Sequence, residues 1–521
     1  MTVAETAAAA LSQNQLLRSE LAMLSRAGQT VAQEVDTTLE LIEGAVPADL
    51  RGVLYRNGPG RMERGGVRYG HPFDGDGMVT RFAFTDSGVR YRNRFVRTKE
   101  YLQEEAAGRI LFRNFGTPIP GGILRNLLRL RFKNAANTSV VMHGGSLLAL
   151  WEGGLPHRLD PETLETLGAH DYGGALRNTG PLRFMASELP FSAHPRLDRT
   201  SGTLHNFGTA QGKQAELLLY KIQPSGAFSG IERVPLSRFP FLHDFVLTPS
   251  YWVFYLAPVS FAAAAMLLGL KTPVASLHGE NGAPAQLLLV PRRGGAPRYY
   301  TCDGGFIFHF AGGYEDDQGC VIIDGLRSAR FPEFDRLWEP EYFAKSGYAP
   351  PRLTRFVVSP DKDADKAVIQ TELLCDHALE LPTLHPALGG ASYRYVYGIG
   401  SRPEQTLPLL HGLVKADVRE RRVVFRDFGA DLPGEPLFVP RPGGPNRKED
   451  RKEDRKEDRK EDRKDLGPDE DDGYVLSLVY RTQAHVSELL VLCAKDLRTL
   501  AVLRLPHHVP PGFHGTFVPA A

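Results

Sequence analysis

The chain has 521 residues, with 62 lysines and arginines against 61 aspartates and glutamates. That length suits several domains or one large closed sheet, and a formal net charge of +1 leaves no general field for nucleic acid or an anionic membrane. Cys302, Cys320, Cys375 and Cys493 stand at no metal-ligand or redox-motif spacing, and Met1 to Glu5 lacks a basic n-region and long apolar core. A cytoplasmic protein is therefore expected rather than an exported disulfide scaffold.

In chain order, residues 5–27 are rich in Ala and Leu, with Leu16, Leu17, Leu21 and Leu24 near helical spacing and Gly28 as a stop, which predicts a helix. From about residue 50 the pattern changes to short runs rich in Val, Leu, Phe and Tyr, broken by Gly, Pro, Asn and Asp. Strands are predicted at 67–69, 79–84, 146–151, 253–256, 321–323 and 474–480. Many short strands without a strong repeat suit a β-propeller or a large sandwich. Two apolar segments, 121–132 and 259–271, carry arginines or a lysine; the second is too short to cross a bilayer at about 20 residues, and an interfacial or cap helix is expected of each. Residues 447–465 hold four copies of Arg-Lys-Glu-Asp and then Arg463, Lys464 and Asp465. In a helix every i,i+4 pair there would be like-charged, so a solvated loop spanning 446–468 is expected, as an insertion without a catalytic role.

Among 16 histidines, four sit in aromatic or apolar frames: Ala193-His194-Pro195, Phe241-Leu242-His243-Asp244-Phe245, Phe306-Ile307-Phe308-His309-Phe310 and Phe513-His514-Gly515. They lie 49, 66 and 205 residues apart, so only a closed tertiary structure could gather them. Imidazole suits Fe, Zn, Cu and Ni, and a polar ring in an apolar strand costs free energy unless a metal or a hydrogen bond satisfies it. Each histidine taken singly also fits an ordinary core group bonded to a carbonyl.

Further motifs decide between these readings. Leu54 to Gly60 (LYRNGPG), His71 to Met78 (HPFDGDGM), Ala136-Asn137-Thr138, Leu150 to Gly154 (LWEGG), Phe191 to Pro195, His243-Asp244, Phe308-His309, Leu379 to Pro382, Glu435 to Pro442, Asp471 to Tyr474 and Phe513 to Gly515 run in one order from about residue 36 to the C-terminus. In these blocks the sequence resembles the carotenoid cleavage oxygenase family. The resemblance implies an all-β, seven-bladed β-propeller with a helical and loop cap over one face. It also implies a division into an N-terminal helical extension, 1–35, and a single catalytic domain, 36–521.

One histidine from each of four inner strands would then meet on the axis. Period-two alternation would set His309 opposite Phe306, Phe308 and Phe310. The resemblance assigns His194, His243, His309 and His514 to one Fe(2+) per chain, with Glu152, Glu380 and Glu435 accepting the far N–H groups of the ligands. Zinc is the inorganic rival, but structural zinc usually takes cysteine or closely spaced ligands, which are missing here. The implied reaction is oxidative scission of a carbon–carbon double bond by O2 to give two carbonyl products. Tunnel candidates are Trp151, Phe241, Phe306, Phe310, Tyr314 and Phe513, since aromatic walls contact a long polyene without polar groups to satisfy.

The segments Arg92 to Thr98 and Trp151 to Pro156 most resemble bacterial apocarotenoid oxygenases that yield retinal-like products. Stilbene cleavage would need a polar pair for a phenol, for which the tyrosines and Lys133 remain open, and an isomerohydrolase would act on an ester. A non-catalytic carotenoid-binding propeller is a further alternative. The expected partners are an apolar polyene and, through 121–132 and 259–271, a membrane surface; no nucleic acid and no required protein partner are expected.

Overall fold

Short apolar strands and turn residues give a mostly β protein with few helices in the computed structural model, which describes residues 3–180, 187–210, 214–336, 339, 342, 349–359, 369–405, 409–442 and 470–520. The predicted N-terminal helix spans Val3–Ala27 and stops where the Gly28 N–H donates back to Leu24 O at 2.9 Å. It is docked rather than free at its C-terminal end: Leu17 and Ala27 are buried, Ala27 packs with Leu432 and Tyr480, and Glu20 Oε1 lies 3.1 Å from His411 Nε2. The strands expected from the sequence coincide with Val67–Arg68, Asp76–Thr85, Ser146–Leu150, Tyr251–Leu256, Val321–Ser328 and Gly473–Arg481.

Ala285–Pro291 is apolar without alternation because both of its faces are covered. Leu287 and Leu289 enter one core cluster with Val253 and Tyr255, while Leu288 and Val290 enter a second with Trp252 and Phe254. Full burial of each such aliphatic side chain contributes about 1.5–3 kcal/mol relative to exposure. Adjacent sheets therefore pack face to face through these strands.

The strands form sheets of five, four, four, four, six and seven strands, with two further two-stranded ribbons. The chain ends interlock. Glu40–Gly44 pairs with Thr499–Arg504 in the six-stranded sheet near the C-terminus, and the last strand, Gly515–Pro519, pairs with Gly52–Arg61 in the first sheet, Arg56 opposite Gly515. The strand that directly follows His514 is thus held by the N-terminal part of the chain.

The two apolar segments contribute short helices, Ile123–Asn126 and Ala263–Leu267, the second preceded by the strand Val259–Phe261. They meet through the Leu128 N–H, which donates to Leu267 O at 2.8 Å, and through Gly269, whose φ of +72° and lack of Cβ let it lie against the backbone of Ile123, Asn126 and Leu127. Leu124 and Leu128 on one segment and Leu268 and Leu270 on the other are exposed. No described helix is long and apolar enough to cross a membrane. The charged run 447–465 lies outside the described residues; the strands that flank it, Leu437–Pro440 and Gly473–Arg481, pair with Pro440 opposite Gly473.

Candidate metal centre

Three of the four framed histidines stand just ahead of strands rather than within them, correcting the expectation of four inner-strand residues. His194 precedes Arg196–Leu197, His243 precedes Val246–Leu247 and His514 directly precedes Gly515–Pro519; only His309 lies inside a strand, Phe306–Glu315. Even there the pairing with Val321–Ser328 shifts between Ile307 and Phe310, which breaks strict alternation. Phe308 consequently does not turn away from the site: it stacks on His243 with ring centroids 3.8 Å apart and lies edge-on to His309 at 4.8 Å.

Local hydrogen bonds hold each histidine in place. Ser192 donates its N–H to Phe207 O and accepts from the His194 N–H at 3.2 Å. Asp244, beside His243, is gripped by Arg196 and accepts the N–H groups of Phe245 at 2.7 Å and Phe310 at 2.9 Å, tying the His243 turn to the His309 strand. The His514 N–H donates to Thr138 O, and its carbonyl accepts from the Asn57 N–H. This approach requires glycine at position 58, where a Cβ would fall 2.7 Å from Gly512 Cα.

The result brings the four rings together. Nε2 of His194 and His243 are 2.9 Å apart, and Nε2 of His309 lies 3.2 Å from those of both His243 and His514; all four ligand atoms fall within 4.8 Å of one another. The outer nitrogens face acids. His309 Nδ1 is 2.6 Å from Glu380 Oε2 and His514 Nδ1 is 2.8 Å from Glu435 Oε1. Glu152 Oε1 is 3.2 Å from His243 Nδ1, yet the contact lacks hydrogen-bond alignment and that oxygen has no partner. His194 faces Asp244 at 4.0 Å, too far for a hydrogen bond.

Nδ1–H groups that donate to carboxylates leave Nε2 lone pairs pointing inward, where they repel one another unless a cation sits between them. Burial, reinforced by the neighbouring imidazoles, holds His194 and His309 well below the ordinary histidine value, so both are neutral, as ligands must be. Burial raises Glu380 to about 7. Glu435 is equally enclosed, but against burial the Arg56 guanidinium and His514 hold it below the usual carboxylate range. Leu381 adopts φ +50°, a left-handed conformation unusual for leucine, and its N–H donates back to Glu380 Oε2 at 3.1 Å. This all-nitrogen donor set fits a borderline transition-metal ion.

A cavity of about 290 Å3 lies beside the centre, with Glu152, Ser192 and Leu242 in its wall and Phe115, Phe132, Phe207 and Phe261 around it. Of the six aromatic candidates, Trp151 and Phe241 line it. Phe306 and Phe310 are buried in a core cluster, Tyr314 packs on Tyr393 and Phe513 lies edge-on to Phe73. Sequence reasoning did not single out Phe308, Phe73, Asp244 or Arg56; only the motifs containing them offered a signal.

Comparison with known proteins agrees with this geometry. Residues 28–519 match the profile of the family described as retinal pigment epithelial membrane protein. The chain is 36% identical over 504 residues to the apocarotenoid-15,15'-oxygenase of Synechocystis sp., covering 94% of this chain and 95% of that one. It is 28% identical to resveratrol cleavage oxygenase 1 of Aspergillus fumigatus, over 92% of this chain and 91% of the relative. The crystal structure of cobalt-substituted Synechocystis apocarotenoid oxygenase superposes with a TM-score of 0.83 and 34% identity, covering 96% and 99% of the two chains.

Proposed function

The chain belongs to the family of the retinal pigment epithelial membrane protein and the carotenoid oxygenases, and from that membership we propose that it is a non-haem iron(II) dioxygenase cleaving one C=C bond of an apocarotenoid to two aldehydes, retinal among them. The observation that carries this reading is the convergence of four imidazole Nε2 atoms beside an aromatic cavity, with glutamates at the outer nitrogens of three. His194, His243, His309 and His514 would hold one Fe(2+) per chain, and iron bound there supplies the activation of O2. Glu380 and Glu435 fix ring orientation and tautomer, and Glu152 stands ready to do so. Trp151, Phe241 and Phe207 would bind the polyene and exclude water from it.

The sheets support a seven-bladed propeller if the seven-stranded sheet counts as two blades beside the other five large sheets, with the two-stranded ribbon Val259–Phe261/Leu277–Gly279 in the cap. Residues 36–521 then form one catalytic domain with 1–35 as its helical extension. The four unpaired cysteines support a reducing cytoplasm. Stilbene cleavage is the weaker reading, because Lys133 is buried and bound by Asp76 at 2.5 Å, Glu104 at 2.8 Å and Tyr69 at 2.8 Å, leaving no N–H for a phenol.

The reading is tested by giving the iron-loaded protein a long apocarotenal with and without O2 and separating the products by liquid chromatography and mass spectrometry. Two shorter aldehydes that require O2 are expected. Oxygen-independent products would instead indicate isomerohydrolase chemistry, and bound but intact substrate a carrier.

The exposed leucines at 124, 128, 268 and 270, with Arg125, Arg129 and Lys271 nearby, support contact with a membrane from which a water-insoluble substrate is collected. Leu124→Asp with Leu268→Asp is expected to reduce sedimentation with anionic vesicles while leaving cleavage of detergent-dispersed substrate near wild type; unchanged sedimentation removes the membrane role. Because Pro440 and Gly473 already meet as a strand pair, deletion of 447–465 is expected to keep turnover within about twofold. A larger loss in steady-state assays would place that segment in the working enzyme.

A further inference from the structure

Arg56 lies in the strand Gly52–Arg61, 6% exposed, far from the four histidines in sequence. The hydrogen bonds of its side chain converge on the support of one of them. Nη1 donates to Glu435 Oε2 at 2.5 Å and to Glu435 O at 3.2 Å, and Nη2 donates to Phe513 O at 3.1 Å. The Gly515 N–H donates to the same Oε2 at 3.0 Å. With Oε2 occupied from two sides, Oε1 is left aimed at His514 Nδ1, 2.8 Å away. Neither Glu380 nor Glu152 has an arginine or lysine anchor among the described residues: Glu380 is steadied by a backbone N–H, and Glu152 Oε1 has no hydrogen-bond partner.

We propose that Arg56 is a positioning residue of the metal centre, which fixes the Glu435 carboxylate and the Phe513 carbonyl so that His514 is presented to the metal in one orientation. A guanidinium serves here because its planar fork reaches a carboxylate and two carbonyls at once, which a single ammonium group cannot do with the same geometry. His514 is also the one candidate ligand that directly precedes the closing strand, and Arg56 pairs opposite Gly515 in that closure. The residue that registers the last strand against the first is therefore the residue that orients the last ligand.

The inference rests on the metal reading above and is tested on the metal-free full-length protein by titration with Co(II), following the visible absorption of the bound ion, with thermal melting measured separately. R56Q is expected to weaken Co(II) binding on the order of 10- to 100-fold and to alter the absorption spectrum, as loss of an outer-sphere partner does. The E435Q variant should lose a similar factor, and the R56Q/E435Q double variant should bind no more weakly than E435Q alone, since both changes cut one chain of contacts. Losses that multiply in the double variant, or an R56Q protein with wild-type affinity and spectrum, would overturn the proposal. Should R56Q fail to fold, R56K decides: one ammonium divided between Glu435 and Phe513 is expected to bind Co(II) more weakly, and undiminished affinity rejects the role. A wild-type protein that binds no Co(II) removes the metal reading and this inference together, whereas equal binding by wild type and R56Q removes this inference alone.

Discussion

Replacing His309 with alanine is expected to abolish both metal binding and oxygen-dependent cleavage. Its Nε2 lies 3.2 Å from the corresponding nitrogens of both His243 and His514, so it links His514 to the pair formed by His194 and His243. Loss of the imidazole removes one of four candidate ligands and strands Glu380, whose carboxylate would keep only the Leu381 N–H as a partner. A buried group deprived of its partner costs about 1–3 kcal/mol, more when charged, so some loss of thermal stability should accompany the loss of metal. Elemental analysis of the purified variant, with turnover measured alongside, checks the expectation. An H309A protein that retained iron and activity would exclude His309 from the centre.

Glu380→Gln is expected to lower turnover and metal affinity by roughly 10- to 100-fold, the range typical of outer-sphere changes. Glu380 Oε2 accepts from His309 Nδ1 at 2.6 Å and from the Leu381 N–H at 3.1 Å, in a backbone conformation with φ +50° that leucine adopts only when its surroundings impose it. Glutamine keeps an acceptor oxygen, so the ring should stay oriented, but it removes the negative charge that raises the basicity of Nε2. The effect should therefore fall on the ligand's electron donation rather than on folding. Turnover and Co(II) affinity are expected to drop while the melting temperature of the metal-free protein holds or rises, because burial disfavours the charged carboxylate and already lifts it to about 7. Unchanged affinity in E380Q would mean that the 2.6 Å contact only orients the ring.

The two sites differ in how readily sequence exposes them. His309 stands out because an imidazole between phenylalanines is a chemical anomaly in an apolar strand. Glu380 has no such local mark: without the family resemblance it reads as an ordinary surface acid, and only the resemblance singled it out. The alternation argument failed at Phe308 because the pairing shift between Ile307 and Phe310 turns that ring toward His243. Periodicity describes a regular strand, and the centre was built where the strand is irregular. Likewise, His194, His243 and His514 lie at strand entrances, where backbone groups are bound by Ser192, Asp244 and Thr138 rather than by a ladder.

Composition and short motifs were enough to point to a β-rich chain, the four histidines and, through resemblance, three glutamates, because burial preference, turn chemistry and ligand type are properties of residues and their near neighbours. Only the tertiary structure decided that Arg56 would serve His514 across 458 positions, that Asp244 would join two ligand segments, and that Trp151 and Phe241 rather than Tyr314 would wall the cavity. Those outcomes depend on sheet register and on the closure of the last strand against the first, which are set by the packing of the whole chain and leave no trace in any local pattern.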